Sequence, residues 1–365
     1  VLGLGVSLPK ARTLITSATL LGGLIAAAAF LLFPMDANLL HGMVVLNPLA
    51  RIFKLVILGL SLVAVVFASE SFPKNHFAES LALILFSTIG MMVLVGTEDL
   101  LMIFLALELT SIPLYILAAF DKESSGSAEA GLKYFLIGSV SSAFLLYGLS
   151  LIYGVTGSTN LLTISQLAGS PDSLLIAGIV LTLAGFGFKI AAVPFQLWAP
   201  DVYAGAPTAA AALIASGSKV AGIFILAKIL TTGLGHWAGA AGWGQFEPGW
   251  APVLALMAAA SIVLGNVTAL VQSNVKRLLA YSAIAHGGYL LLGLCSANRE
   301  SLTAVLFYVV IYALTTAGAF GVVAIVEKQR GGSRLEDFDG LCKSSPVLAL
   351  CLLVFFISLA GIPPL

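Results

Sequence analysis

The sequence predicts an all-α protein that crosses a membrane many times. Hydrophobic residues make up 59% of its 365 residues and charged residues only 9%, whereas soluble domains carry about 25% charged residues. The mean hydropathy is +1.07, and the apolar residues are gathered in runs of about 20, the length of a membrane-spanning helix. The formal net charge is zero and no basic or acidic run is present, which argues against nucleic acid as a partner.

Eleven apolar segments are candidate spans. In chain order they cover residues 13–33, 49–69, 77–96, 99–120, 129–154, 173–197, 208–231, 250–271, 277–296, 301–326 and 346 onward. If successive spans alternate in direction, ten basic loop residues fall on one face and four on the other. This bias identifies the first face as cytoplasmic. The four on the opposite face are Arg51, Lys54, Lys228 and Arg299, and we interpret the first three as interfacial.

A weak internal repeat accompanies the spans. Leu132, Tyr134 and the pair Ser141-Ser142 recur 174 residues later as Leu306, Tyr308 and Thr315-Thr316, and Ala191 to Pro194 resembles Ala360 to Pro363. The matched segments lie five spans apart, so the two copies would be inverted in the membrane. We therefore expect N-terminal helices at 1–69, a first five-helix repeat at 77–231, and a second, inverted repeat at 250–365 that is truncated at its broken helix. Because the chain starts at Val1, we also expect a fragment that lacks both ends.

Charged residues inside the spans are the candidate functional residues. Glu108, Lys133, Lys189 and Lys219 lie in apolar segments, where a charge costs roughly 2.5–3.5 kcal/mol and usually faces a protein or water-filled interior. Lys133 lies near the cytoplasmic end of its segment, so snorkelling explains it equally well. His286 is mid-span and can donate and accept a proton, but a satisfied interior histidine is an equal alternative.

Two prolines predict helix breaks beside these charges. Pro194 has no N–H and leaves the carbonyl of Ile190 unbonded, one residue after Lys189. Pro113 likewise frees the carbonyl of Leu109, next to Glu108. Burial disfavours the charged form of a side chain and a nearby opposite charge favours it, so a lysine facing a movable glutamate is a proton switch. A purely structural role for each residue is the alternative.

Five segments carry a resemblance to a known family. They are LALELTSIPLYIL at 105–117, AGLKYFLIGSVSSAFLLY at 130–147, GFGFKIAAVPFQLWAPDVYAGAP at 185–207, SGSKVA at 216–221 and NVKRLLAYSAIAHGGY at 274–289. These segments closely resemble the N subunits of NADH-quinone oxidoreductase, respiratory complex I. They are less similar to the subunits of multisubunit cation/proton antiporters. The resemblance runs from about residue 70 to the end.

The resemblance implies a fold and an activity. The family fold has about 14 transmembrane helices in two inverted repeats with discontinuous helices, in the bacterial inner membrane. Such a subunit translocates protons and binds no cofactor or metal itself, while the parent complex uses NADH, FMN, iron–sulfur clusters and quinone. Its implied partners are the other membrane subunits, especially neighbouring antiporter-like subunits, and membrane lipid.

The resemblance also assigns residues. Glu108, Lys133, Lys189 and Lys219 fall on the family's proton-carrying positions and would form one half-channel. The second half-channel centres on a lysine after a Gly-Ile-Pro-Pro motif, which is present at 361–364, but the chain ends before that lysine. Gln196 stands where the family commonly has histidine, and Gln cannot titrate.

Two other functions remain open at this stage. A subunit of a cation/proton antiporter would use the same lysines, but a cation site should show more carboxylates within the spans, and apart from Glu108 only Glu79 is near one. This favours protons. A non-pumping scaffold is the third possibility, and the number of centred charges argues against it. The three cysteines, Cys295, Cys342 and Cys351, have no CxxC spacing and indicate no metal cluster.

Overall fold

Long apolar helices account for the predicted spans. The computed structural model describes residues 1–3, 12–32, 36–73, 76–166, 172–242, 244–296 and 298–362. Within these residues nine helices are long and apolar enough to cross a membrane, and two shorter apolar helices, Ser173–Lys189 and Pro346–Leu359, accompany them. These eleven helices correspond to the eleven predicted segments, so the predicted all-α, polytopic fold is confirmed.

The helices are numbered α1 to α15 along the chain. They are α1 Arg12–Leu32, α2 Pro48–Ser71, α3 Phe77–Val95, α4 Leu100–Ala118, α5 Ser125–Thr156, α6 Leu161–Gln166, α7 Ser173–Lys189, α8 Ala199–Gly205, α9 Thr208–Ala215, α10 Gly217–Lys228, α11 Trp250–Ala269, α12 Val275–Cys295, α13 Arg299–Arg330, α14 Leu341–Ser344 and α15 Pro346–Leu359. Two antiparallel hairpins, β1 Ala37–Leu39 with β2 Val44–Leu46 and β3 Ala240–Gly242 with β4 Gln245–Glu247, join α1 to α2 and α10 to α11.

Side-chain caps fix where several long helices begin. Asn47, Asp99, Ser124, Asn274 and Asn298 each accept a hydrogen bond from a backbone N–H in the first turn of α2, α4, α5, α12 and α13. These bonds satisfy donors that a helix start otherwise leaves unpaired.

The centre of the bundle is formed by α9 and α10. In the span Thr208–Gly233, 94% of an 18-residue apolar stretch is buried, whereas only 11% of such a stretch is buried in α1. The predicted continuous span at 208–231 is interrupted at Ser216, whose backbone (φ −109°, ψ −76°) ends α9 before α10 begins. Lys219 therefore lies in the first turn of a central half-helix, which the sequence analysis did not predict.

The predicted break in α7 is present. The helix ends at Lys189, and the Val193–Pro194 peptide bond is cis. Ala191 adopts a left-handed conformation (φ 57°), and the amides of Ala191 and Ala192 bond to the carbonyls of Phe188 and Gly187 at 3.0 and 2.8 Å. This is the Schellman arrangement that closes a helix C-terminus.

The predicted break at Pro113 is wrong. The helix α4 continues from Leu100 to Ala118 with Pro113 inside it. In the preceding turn, Thr110 and Ser111 donate additional hydrogen bonds to the carbonyls of Ala106 and Leu107 at 2.8 and 2.6 Å. Proline is tolerated inside a membrane helix where side chains and neighbours satisfy freed backbone groups.

Two stretches of the chain repeat each other's backbone. The helices α5 and α13 each contain 32 residues, and each ends at a left-handed glycine, Gly157 (φ 67°) and Gly331 (φ 79°). The segment after each of these helices passes beside the start of α4 or α12 and forms a matching backbone hydrogen bond there. These are Leu161 N to Glu98 O and Leu335 N to Ser273 O, both at 2.9 Å.

The broken ends of α7 and α15 also match. At α15 the bonds are Gly361 N to Ser358 O at 2.9 Å and Ile362 N to Ile357 O at 3.1 Å. They reproduce the Schellman bonds of α7 with Gly361 in the place of Ala191. The sequence alignment of Ala191 with Ala360 is therefore wrong by one residue. Pro363 and Pro364 lie outside the described residues.

Among the basic residues assigned to loops or interfaces, Lys54 and Lys276 are buried instead, and Lys228 is half-buried with its side chain 13% exposed. Lys54 is 7% exposed and Lys276 is 5% exposed. Lys276 pairs with Glu327 at 3.0 Å, and Lys228 pairs with Glu98 at 2.8 Å. Segment counting places a residue along the membrane normal, but it does not show whether a neighbouring helix covers that residue.

Candidate functional site

A chain of polar groups connects α4, α5 and α7. Glu108 accepts a hydrogen bond from Ser142 Oγ of α5 at 2.5 Å. The spacing of Glu108, Ser111 and Tyr115 places these three residues on one face of α4. The hydroxyl of Tyr115 interacts with both Ser142 and Ser111. We call these residues, together with Lys189, the α4 cluster.

Lys189 completes the α4 cluster from the end of α7. Its ammonium donates to Ser111 Oγ at 2.6 Å and to Tyr115 Oη at 3.4 Å. The nitrogen also lies 5.8 Å from the ring centroid of Tyr115 and 5.5 Å from that of Phe188, within the range of a cation–π interaction. Glu108 and Lys189, which sequence analysis singled out separately, are therefore joined by three hydroxyl groups.

The break after Lys189 directs a backbone carbonyl toward Lys219. The described residues supply no hydrogen-bond donor to Ile190 O, as expected from Pro194 four residues later. A methyl group on Gly287 would lie 3.2 Å from Ile190 O and 3.7 Å from Lys219 Nζ, and it would meet no other helix within 4 Å. Gly287 thus keeps open a gap between a free carbonyl and an ammonium group.

Lys219 is the most enclosed charge in the described part of the chain. It is 2% exposed, its ammonium donates to the carbonyl of Ala283 in α12, and it lies 5.1 Å from the ring centroid of Tyr312 in α13. No described carboxylate pairs with it. Its charge is therefore stabilised by a backbone dipole and an aromatic face.

His286 follows Lys219 through Tyr312. The rings of His286 and Tyr312 lie 5.0 Å apart, and His286 Nδ1 is 2.6 Å from Tyr308 Oη. Both His286 and Tyr308 line a cavity of about 450 Å³ that reaches Leu359, Ala360 and Gly361 at the end of α15. The hydroxyls of Tyr312 and Thr316 are buried without a partner among the described residues.

Lys133 and Gln196 lie apart from these groups. Lys133 is 38% exposed in its side chain and pairs with Glu129 and Asp201, each at 2.5 Å. Asp201 also pairs with Arg277 at 3.0 Å. Gln196 is 7% exposed, and its Oε1 is buried without a partner among the described residues.

The arrangement can move protons. The row from Glu108 to Tyr308 contains carboxylate, hydroxyl, ammonium, carbonyl and imidazole groups. The hydroxyl groups and the imidazole can both donate and accept hydrogen bonds. The described residues contain no group of three or more His, Cys, Asp or Glu side chains that could hold a metal ion.

Sequence reasoning missed the hydroxyl groups that connect the charges. Ser111 and Tyr115 could have been found from their helical spacing with Glu108. Tyr312 could not, because nothing in the sequence places α13 against the start of α10.

The matching family profile is described as "NADH:quinone oxidoreductase/Mrp antiporter, TM" and covers residues 97–365. NADH-quinone oxidoreductase subunit N 2 of Acidobacterium capsulatum is 49% identical over 352 residues, which are 94% of this chain and 71% of the relative. Subunit N of Chlorobium chlorochromatii is 44% identical over 330 residues, 88% of this chain and 64% of the relative. The chain thus spans about two thirds of the length of these relatives.

Solved structures show the same similarity. A chain of respiratory complex I from Thermus thermophilus is 36% identical, with a TM-score of 0.81, over 99% of this chain and 76% of that chain. A chain of the Mrp complex from Dietzia sp. is 25% identical, with a TM-score of 0.85, over 99% of this chain and 69% of that one.

Proposed function

The chain belongs to the family of N subunits of NADH-quinone oxidoreductase, and on this premise we propose that it translocates protons along the polar groups between Glu108 and His286. It is an antiporter-like, multi-pass subunit of a bacterial inner-membrane translocase. NADH, FMN, iron–sulfur clusters and quinone belong to the parent complex. Its direct partners are other membrane subunits of that complex.

The proximity of Glu108 and Lys189 within the α4 cluster carries the proposal. A negative Glu108 favours the protonated form of Lys189, and loss or withdrawal of that charge favours release of the proton. The hydroxyls of Ser142, Tyr115 and Ser111 transmit this change, because each contacts the next group in the row.

Release from Lys189 leads toward Lys219. Ile190 O and Lys219 Nζ lie on either side of Gly287, 3.2 and 3.7 Å from the point where a methyl group of an alanine would lie. From Lys219 the row continues past Tyr312 to His286 and the adjoining cavity. Lys133, in its partly exposed network, belongs to the cytoplasmic entrance, where its ion pairs hold the start of this route in place.

The organisation into two inverted five-helix repeats is part of the proposal. Matching backbone bonds after α5 and α13, and at the ends of α7 and α15, support repeats at 77–231 and 250–365. In this arrangement the α4 cluster belongs to the first half-channel, and the cavity beside His286 belongs to the second.

Substitution Lys189→Met in the assembled complex tests the proposal. Methionine fills similar space without a titratable group, so we expect normal assembly and a lower number of protons pumped per electron. Lys122→Met, at an exposed loop lysine, is the matched control. Unchanged pumping in an assembled Lys189→Met complex would contradict the role of Lys189.

A second candidate function is cation/proton exchange without redox coupling. The fold is consistent with this alternative, since the TM-score to the Dietzia Mrp chain is 0.85. Sodium-dependent dissipation of a pH gradient by the subunit in liposomes would support it, and its absence together with redox-driven pumping would support the main proposal.

A further inference from the structure

A cavity between α1, β2 and α2 has an apolar wall and a basic end. Its volume is about 380 Å³, and its lining residues are Ala26, Ala29, Phe30, Leu46, Asn47, Arg51 and Lys54. The first three belong to α1, and the last three lie on one face of α2 at helical spacing.

The basic end carries more positive than negative charge. Lys54 is 7% exposed, yet no described residue forms a hydrogen bond or ion pair with its ammonium group, and the same holds for the guanidinium group of Arg51. Lys228 lies nearby and adds positive charge, and its partner Glu98 is the carboxylate that faces this cluster. Burial of an unpaired ammonium group is costly, so the surplus of positive charge calls for an anionic ligand.

The depth of the basic end matches a lipid headgroup. The first residue of α2 is Pro48, and at 1.5 Å per residue Lys54 lies roughly 9 Å further along the helix. Arg51 lies between them. At this distance from the helix end, long basic side chains can place their charged groups at the level of the lipid headgroups.

The apolar wall is little covered by the described part of the chain along α1. Only 11% of the most apolar window of this helix is buried within the chain, and Ala29 is exposed. The cavity therefore offers a path for an acyl chain beside a site for its phosphate. A free phosphate ion would use only the basic end.

The face on which the cluster lies gives an independent argument. Only four basic residues were assigned to this face, and three of them, Arg51, Lys54 and Lys228, meet around Lys54. The positive-inside rule disfavours basic residues on this face, so orientation in the membrane does not explain their clustering.

We propose that this cavity binds an anionic phospholipid, with its phosphate at Arg51 and Lys54 and one acyl chain along Ala26, Ala29 and Phe30. The site is distinct from the proton route, because none of its lining residues belongs to the groups between Glu108 and His286.

The test uses the assembled complex in phosphatidylcholine nanodiscs with a trace of phosphatidylglycerol that carries a photoactivatable acyl chain. Mass spectrometry of the cross-linked complex should place adducts on the peptide containing Ala26 to Phe30. Each basic residue near an anionic headgroup contributes roughly fivefold in affinity, so Arg51→Gln with Lys54→Met should lower labelling roughly 30-fold. Arg299→Gln, on the same face, should leave it unchanged.

A second variant tests the cavity without changing a charged residue. Ala29→Phe fills the cavity from the exposed side of α1 and should also abolish labelling, whereas Ala28→Phe, exposed but outside the lining, should not. Equal labelling by a photoactivatable phosphatidylcholine would overturn the anionic specificity. Wild-type labelling of both the double variant and Ala29→Phe would overturn the site.

Discussion

Two lysines near the centre of the molecule are stabilised by different groups. Lys189 donates to two hydroxyl groups that lead back to Glu108, whereas Lys219 donates to the backbone carbonyl of Ala283. A carboxylate can change its charge, and a peptide dipole cannot. The two lysines should therefore respond differently to the same change at Glu108, and we expect loss of the Glu108 charge to favour transfer from Lys189 toward Lys219.

Gly287→Ala tests the gap between the two lysines. The added methyl group would lie 3.2 Å from Ile190 O and 3.7 Å from Lys219 Nζ, and it would occupy the space through which we expect the proton to pass. We expect the methyl group to weaken the interaction between these two groups by the free energy of one hydrogen bond, about 0.5–1.5 kcal/mol. This change corresponds to a roughly two- to tenfold lower pumping rate, measured as proton uptake by vesicles.

Gly222→Ala is the matched control for this change. Gly222 lies on α10 three residues after Lys219, and its new methyl group would meet only Ile190 Cγ2 at 3.8 Å. We expect wild-type pumping and assembly. Equal rates in the two variants would refute the importance of the gap.

The residues of the site differ in how far the sequence predicts them. Glu108, Lys189 and Lys219 are predictable because a charge within an apolar run is conspicuous and costly. Their partners are less so, because serine and tyrosine are ordinary residues of membrane helices. The contact between Lys219 and Ala283 involves a backbone atom, which no sequence pattern marks.

Among the elements, the short helix α8 is held between two charged networks. Asp201 of α8 pairs with Lys133 of α5 and Arg277 of α12. Near the end of α8, Lys276 pairs with Glu327, and Thr208 donates to the same carboxylate. Since α8 follows the break in α7, these networks fix the second half of the broken helix.

The two networks should differ in strength. Glu327→Gln would leave the buried Lys276 without its counter-charge, at a cost of about 3 kcal/mol, the low end for a broken buried pair. Asp201→Asn removes pairs whose side chains are 28–40% exposed, which costs less than about 1 kcal/mol. Glu327→Gln should therefore lower the dissociation temperature of the subunit from the purified complex more strongly. The reverse order would contradict the assignment of Lys276 as buried.

Local sequence signals predict some of the helix breaks and miss others. The break at Pro194 was predictable because proline, two glycines and a lysine coincide. The same logic failed at Pro113, where α4 continues with the proline inside it, and it missed the interruption at Ser216, where no proline is present.

At the scale of the whole molecule, the repeated backbone bonds support two inverted halves. Lys122 before α5 and Ser296 before α13 are equivalent positions, both exposed, and five spans separate them. They should lie on opposite sides of the membrane. The all-α fold and number of spans were predictable from hydropathy, whereas the register of the repeat required the hydrogen bonds.

Cysteine labelling tests the inversion. In a Cys342→Ser background, an impermeant maleimide added to intact cells should label Ser296→Cys, and it should label Lys122→Cys only after the membrane is opened. Labelling of both from the same side would refute the inverted repeat.

The bond between Lys219 and the Ala283 carbonyl gives the molecule a means of converting movement into charge. The attraction between an ammonium group and a fixed dipole depends on their separation and angle, because the charge of the carbonyl dipole does not change. Any sliding of α12 against α10 therefore alters how firmly Lys219 retains its proton. We therefore expect a displacement that begins in another subunit to change the charge of Lys219, and protonation of Lys219 to change the spacing of the two helices.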